Sequence, residues 1–311
     1  MELLVEEMNK RISGSIEIAS QVEENGNQIV LLSDDDAWPD LLDKQLDVQY
    51  PLPAKEEGYR ILRSESHVFV QSVGQRGLQF GIGQILRESR YEKGAEWNGV
   101  SAVHIPEKEI RGHQIGYRNT ANSYDAWTPE IYEQYIRDML IFGTNCIENI
   151  PFADPVPIHF SISADSMNVV LGNLCNKYDV DYWVWTPIEF DLNDDVQSRA
   201  YLEQCADLYR QSPRLDAVFV PGGDPGNNPP ELVLPMMEKM AALLQKHHPH
   251  ATMWLSMQGF DDVETRFVYE YMQKESPDWM GGLVAGPSSP PMDGTREALP
   301  ARYKLRHYPD I

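Results

Sequence analysis

From Arg111 onward, short apolar runs alternate with amphipathic stretches. The runs cover residues 112–117, 146–150, 182–186, 217–220, 252–256, 281–285 and 304–307. Helical periodicity fills residues 129–142, 166–177, 196–211, 230–247 and 263–274. A strand that returns through a helix to its neighbour must run parallel to it, so repeated units of this kind imply a parallel sheet. No glycine-rich nucleotide loop follows the first run, which favours a (β/α)8 barrel over a doubly wound sheet. An eighth run is not visible before Asp310-Ile311. The reading is therefore a TIM barrel truncated after about the seventh strand, within a fragment of a longer protein, since a missing strand leaves open sheet edges.

Residues 1–95 read as a separate small α/β domain without catalytic residues. A helix over 2–11 precedes strands at 15–19 and 28–32, and a hairpin follows over 59–64 and 67–72. Gly74-Gln-Arg-Gly77 turns the chain into a helix ending near Arg87. Polar, strand-poor residues 96–110 read as a connection, and 111–311 as the incomplete barrel.

Composition narrows the partners. Against 48 acidic side chains stand 26 basic ones, for a net charge of −22, so neither nucleic acid nor an anionic membrane is an expected partner. No apolar run approaches the ~18–20 residues that span a bilayer. The acidic amphipathic N-terminus does not resemble a signal peptide. Location stays open between the cytoplasm and, for a chain whose start is missing, secretion; a homo-oligomer also stays open. Cys146, Cys175 and Cys205 are scattered and odd in number, which reads as core thiols. His247-His248-Pro-His250 sits before the fifth strand, on the face away from the strand C-termini, and reads as a solvated helix end. No metal and no cofactor are expected; in particular, no strand end carries a His-x-His pair.

Catalytic groups in such barrels lie where a strand ends and its loop begins. In Leu215-Asp-Ala-Val-Phe-Val-Pro-Gly-Gly-Asp-Pro-Gly226 an apolar run stops at a glycine pair and delivers Asp224. The bland alternative is a Gly-Asp turn capping the next helix. Other strand-end acids are Glu148, Glu189 and Asp191. Consecutive strands are neighbours, so Glu189 and Asp224 pair as catalytic candidates. Trp183, Trp185 and Phe190 could supply the apolar wall that an acid of such a pair needs. Glu148 reads as a substrate contact or, more simply, a buried partner of Arg111 or Arg118. Tyr117, Asn119, Trp185, Trp254 and Gln258 complete a mixture of aromatic faces and amides suited to sugar.

Two motifs resemble a known family. Arg111-Gly-His-Gln-Ile-Gly-Tyr-Arg118 is similar to the opening of the barrel in family 20 glycoside hydrolases, the β-N-acetylhexosaminidases. Gly222-Gly223-Asp224 looks like the Gly-Gly-Asp of their His-x-Gly-Gly-Asp-Glu signature. The small domain resembles the one that precedes the barrel in these enzymes and in α-glucuronidases. The resemblance implies a carbohydrate substrate with a hexosaminide- or uronide-type O-glycosidic bond, Arg111 on sugar hydroxyls, and Asp224 on a 2-acetamido group. It departs at the general acid, where Pro225 replaces glutamate, and at the histidine, where Val220 stands. Two functions follow as expectations: a glycosidase using strand-end carboxylates, or a non-catalytic carbohydrate-binding relative.

Overall fold

The computed structural model describes residues 1–19, 21–23, 26–92, 94–115, 123–150, 159 and 161–307. The chain divides into two compact units, Met1–Arg111 with Glu133–Asn145, and Gly112–Tyr132 with Cys146–Ile311.

The first unit begins with α1 (Glu2–Asn9), β1 (Gln28–Leu32) and α2 (Gln45–Gln49). It continues through β2 (Tyr59–Arg63), β3 (His67–Gln71), α3 (Gln75–Glu88), the two-residue strands β4 (Arg90–Tyr91) and β5 (Ala95–Glu96), and β6 (Ala102–His104). Its sheet has the order β1-β3-β2-β6, with β2 and β3 forming the expected antiparallel hairpin. Leu32, Leu42, Leu62 and Phe69 form a buried cluster, with Trp38, Leu41 and Tyr50 packed against it.

Two local expectations change. Residues 15–19 form no strand, although they alternate. The Asn9 side chain takes the ladder's place, accepting from Ile16 N at 2.7 Å and donating to Ile16 O at 3.1 Å. Conversely, the stretch read as a connection contains β6, which pairs with the otherwise open edge of β2, so the first unit runs through it to Arg111.

The second unit contains seven parallel strands. They are β7 (Gly112–Gln114), β8 (Cys146–Asn149), β9 (Asp181–Trp185), β10 (Ala217–Val220), β11 (Thr252–Ser256), β12 (Met280–Ala285) and β13 (Lys304–His307). Between them come α4 (Pro129–Ile141), α5 (Ala164–Tyr178), α6 (Asp195–Gln211), α7 (Pro230–Leu244), α8 (Asp262–Lys274) and α9 (Met292–Ala298). Of α4, the residues from Glu133 onward belong to the first unit. Every strand neighbours the next in sequence, from β7 through to β13. A doubly wound sheet would reverse that order at its switch point. The sequential order is that of a TIM barrel. Helix α9 escapes periodicity because Met-Asp-Gly-Thr-Arg-Glu-Ala offers almost no apolar face.

Side chains alternate across the sheet. On one face, the Tyr182 hydroxyl reaches Asn168 of α5 at 2.6 Å. On the other, Arg306 of β13 ion-pairs with the fully buried Glu148 of β8, which also accepts from Gln114 of β7. The Arg306 guanidinium lies 4.7 Å from the Trp183 ring centroid and 5.7 Å from that of Phe219. The seventh strand thus meets the second, and the sheet is curled around this interior.

The three cysteines are free and buried, as expected, and burial raises each thiol's pKa, that of Cys205 to about 12. His247 and His250 are exposed, but His248 is half-buried on the Tyr209 carbonyl at 2.8 Å, so the histidine turn is only partly solvated. Among the described residues, no helix is long and apolar enough to cross a membrane.

In the first unit, Glu7 is fully buried and meets Lys10 at 2.8 Å, Arg11 at 2.7 Å and Arg137 at 3.0 Å. Desolvation would raise its pKa, but the hydrogen bonds from Lys10 and Arg11 and the charge of Arg137 outweigh it, leaving the carboxyl below its ordinary value. Its contribution is present above the usual glutamate pKa and is lost as pH falls through the lowered folded value. Glu7→Gln should destabilise the protein by on the order of 2 kcal/mol near neutral pH, the gap closing in acid, as read by urea denaturation across pH. In the second unit, Arg306→Met strands the Glu148 charge and should cost about 3–5 kcal/mol, while Glu148→Met with Arg306→Met should recover most of it.

Candidate active site

Parallel strands release all their following loops at one end of the sheet, and three of these loops are joined there. At the end of β10, Pro221, Gly222 and Gly223 are buried and Asp224 is exposed; the Asp224–Pro225 peptide bond is cis. A Cβ on Gly222 would lie 2.3 Å from the Ser256 carbonyl oxygen, so a side chain there would force β10's loop off the end of β11. The Gln258 main-chain oxygen accepts from Gly223 N at 2.9 Å and from Asp224 N at 3.1 Å. Its side-chain Nε2 donates to Asp224 Oδ2 at 2.9 Å.

The loop after β9 is held from the other side. Gly226 has φ of 114°, and a Cβ on it would sit 1.9 Å from the Ile188 oxygen. Only glycine combines that backbone with that approach. The buried Asn228 amide donates to Phe190 O at 2.8 Å and accepts from Leu192 N at 3.0 Å. These bonds fasten residues 188–192, which carry the exposed Glu189, to the segment following Asp224. Asp191 and Asp194 serve local structure. Asp191 accepts from Asn193 N and Nδ2, each at 2.9 Å. Asp194 caps α6, and hydrogen bonds from the Gln197 side chain and from the Gln197 and Val196 N–H groups lower its pKa.

Asp224 and Gln258 therefore touch, and Glu189 rises from the adjoining loop. Other expected contacts fall elsewhere. Glu148 lies inside the sheet, where it pairs with Arg306, and Arg111 is engaged elsewhere. Arg111 precedes the first residue of β7, at the opposite end of the strand from the loops. Its guanidinium donates to Glu57 at 2.8 Å, Gly143 O at 2.8 Å and Lys108 O at 2.6 Å. Trp254 is only 4% exposed and packs on Trp183, ring centroids 4.9 Å apart, so it is an interior ring rather than an open platform. Trp183 is likewise interior, its ring against the Arg306 guanidinium. Trp185 is half-buried, and the half-buried Phe190 packs on Tyr201. Tyr117, Asn119 and Arg118 lie outside the described residues.

Arg306 and Asn228 were not visible as site-shaping residues. The clue for Arg306 is a buried mid-strand acid that needs a cation. For Asn228 it is an asparagine closing a Pro-Gly-Asn-Asn-Pro turn.

No protein-family model and no curated protein matches the sequence. Solved structures do resemble it. A Streptomyces plicatus β-hexosaminidase variant in complex with GlcNAc superposes with a TM-score of 0.63 at 11% identity, over 91% of this chain and 66% of that one. A β-N-acetylhexosaminidase from Bacteroides fragilis gives 0.61 at 12% identity, over 96% and 65%. CpGH84B gives 0.59 at 14% identity, over 80% and 46%. The chain spans less than two thirds of the length of each of these three. Its fold is similar to that of family 20 glycoside hydrolases.

Proposed function

We propose that this chain carries the sugar-binding end of a glycoside hydrolase, with Asp224 and Glu189 as its catalytic carboxylates. The observation that carries this reading is an exposed carboxylate at the end of β10, with one oxygen engaged by Gln258 and a second acid on the adjoining, fastened loop. Glycoside hydrolysis needs such a pair across the scissile bond, one acid to protonate the leaving oxygen and one carboxylate to attack or to stabilise an oxocarbenium-like state. Trp185, half-buried at the end of β9, is the aromatic ring that this reading assigns to the sugar. The likeness to β-hexosaminidases supports a hexosaminide as substrate, with a uronide as the related choice.

One feature favours a second reading. Pro225, directly after Asp224, has no ionisable side chain. A carbohydrate-binding relative without turnover would keep Asp224 and the aromatic surface while lacking the acid.

An aryl-glycoside panel separates the two: hydrolysis by the wild-type chain supports the enzyme, and binding without release of the aryl group supports the binding protein. In the first case, Asp224→Asn should lower kcat by on the order of 10²–10³ with KM little changed, because its charge acts on the transition state. Glu189→Gln should produce a loss of similar size. Near-wild-type turnover in Asp224→Asn would assign Asp224 to the turn alone.

A further inference from the structure

An exposed aspartate carboxylate turns freely, because its terminal torsion has a broad, twofold preference. Asp224 is exposed, yet three hydrogen bonds join its loop to a single residue. Gln258 receives the Gly223 and Asp224 N–H groups on its main-chain oxygen and donates its side-chain amide to Asp224 Oδ2. Gln258 is itself anchored, its N–H donating to Oγ of the buried Ser256 at 3.2 Å. Its main-chain N, main-chain O and Nε2 are thus all engaged within the protein. Close packing supports the same junction, since Gly222 fits against the Ser256 carbonyl only without a side chain.

From this geometry we infer that Gln258 is a positioning residue for Asp224: it holds Oδ2 and thereby presents Oδ1 to the ligand. This rests on Asp224 acting on the sugar. The main-chain bonds set where the loop lies, and the side-chain bond sets how the carboxylate is turned. Reaction rate is sensitive to displacements of ~1 Å at the reacting groups, so the side-chain bond matters to turnover and not to folding.

The experiment is a double-mutant cycle in the full chain. Gln258→Met keeps the length of the side chain and all main-chain bonds while removing the donor. Its melting temperature should match wild type, and kcat on the best aryl glycoside of the panel should fall ~10–100-fold with KM within about twofold. On the Asp224→Asn background the same change should alter kcat less than about twofold, since the charge it orients is gone. Gln258→Glu should lose at least as much at neutral pH, since it replaces the donor with a second carboxylate facing Asp224. Wild-type kcat in Gln258→Met, a loss of equal size in both backgrounds, or a loss confined to KM would overturn the inference while leaving the glycosidase reading intact. If wild type binds sugar without turnover, the cycle is read from Kd by tryptophan fluorescence, with the same non-additivity supporting the inference and additivity overturning it. A wild-type chain that neither turns over nor binds any sugar of the panel defeats the proposed function, and the inference with it.

Discussion

A carboxylate that stays charged wholly out of water needs a cation, and Glu148 pairs with Arg306 across the interior of the sheet. The pair joins the second strand to the seventh, so the charges constrain how tightly the sheet curls. The Trp183 and Phe219 faces beside the guanidinium shield it and add cation–π attraction. Replacing such a pair with apolar side chains is often neutral, whereas breaking it is costly. Its net contribution to stability is therefore small beside the cost of breaking it. The strand ends, and with them the loops carrying Glu189, Asp224 and Gln258, are arranged on that curvature.

The loops themselves are ordered by main-chain chemistry. Gln258 and Asn228 act from opposite sides, the first on the Gly223–Asp224 backbone and the second on residues 188–192. Both satisfy backbone groups that loops at a strand end would otherwise leave to water. Asp194 and Asp261 close the arrangement by capping α6 and α8, Asp261 through a capping box with Glu264.

Strands β9 to β12 were legible because parallel strands inside a sheet are buried on both faces and appear as largely apolar runs, as in Ala-Val-Phe-Val of β10. Helices α5 to α8 were legible from their period. Strand β6 was not, because three half-buried residues in a polar stretch show no period and are defined only by the edge of β2. Asp224 and Gln258 could be chosen as strand-end residues, but their hydrogen bond joins different loops and has no sequence signature. Arg306 was hidden more deeply. Lys-Leu-Arg-His looks like a solvated edge, and the acid that draws its arginine inward is 158 residues away.

The fastening of the β9 loop to the segment after Asp224 has a consequence for how such a molecule can diversify. Gly226 leaves no space for even a methyl group against Ile188, and Asn228 grips main-chain atoms whose spacing is invariant to side-chain identity. Lengthening either segment would break the clasp. Exchanging the side chain at position 190 would leave it whole. Change at this end of the sheet is therefore channelled into substitution, and away from insertion, for as long as the glycine and the asparagine stay in place.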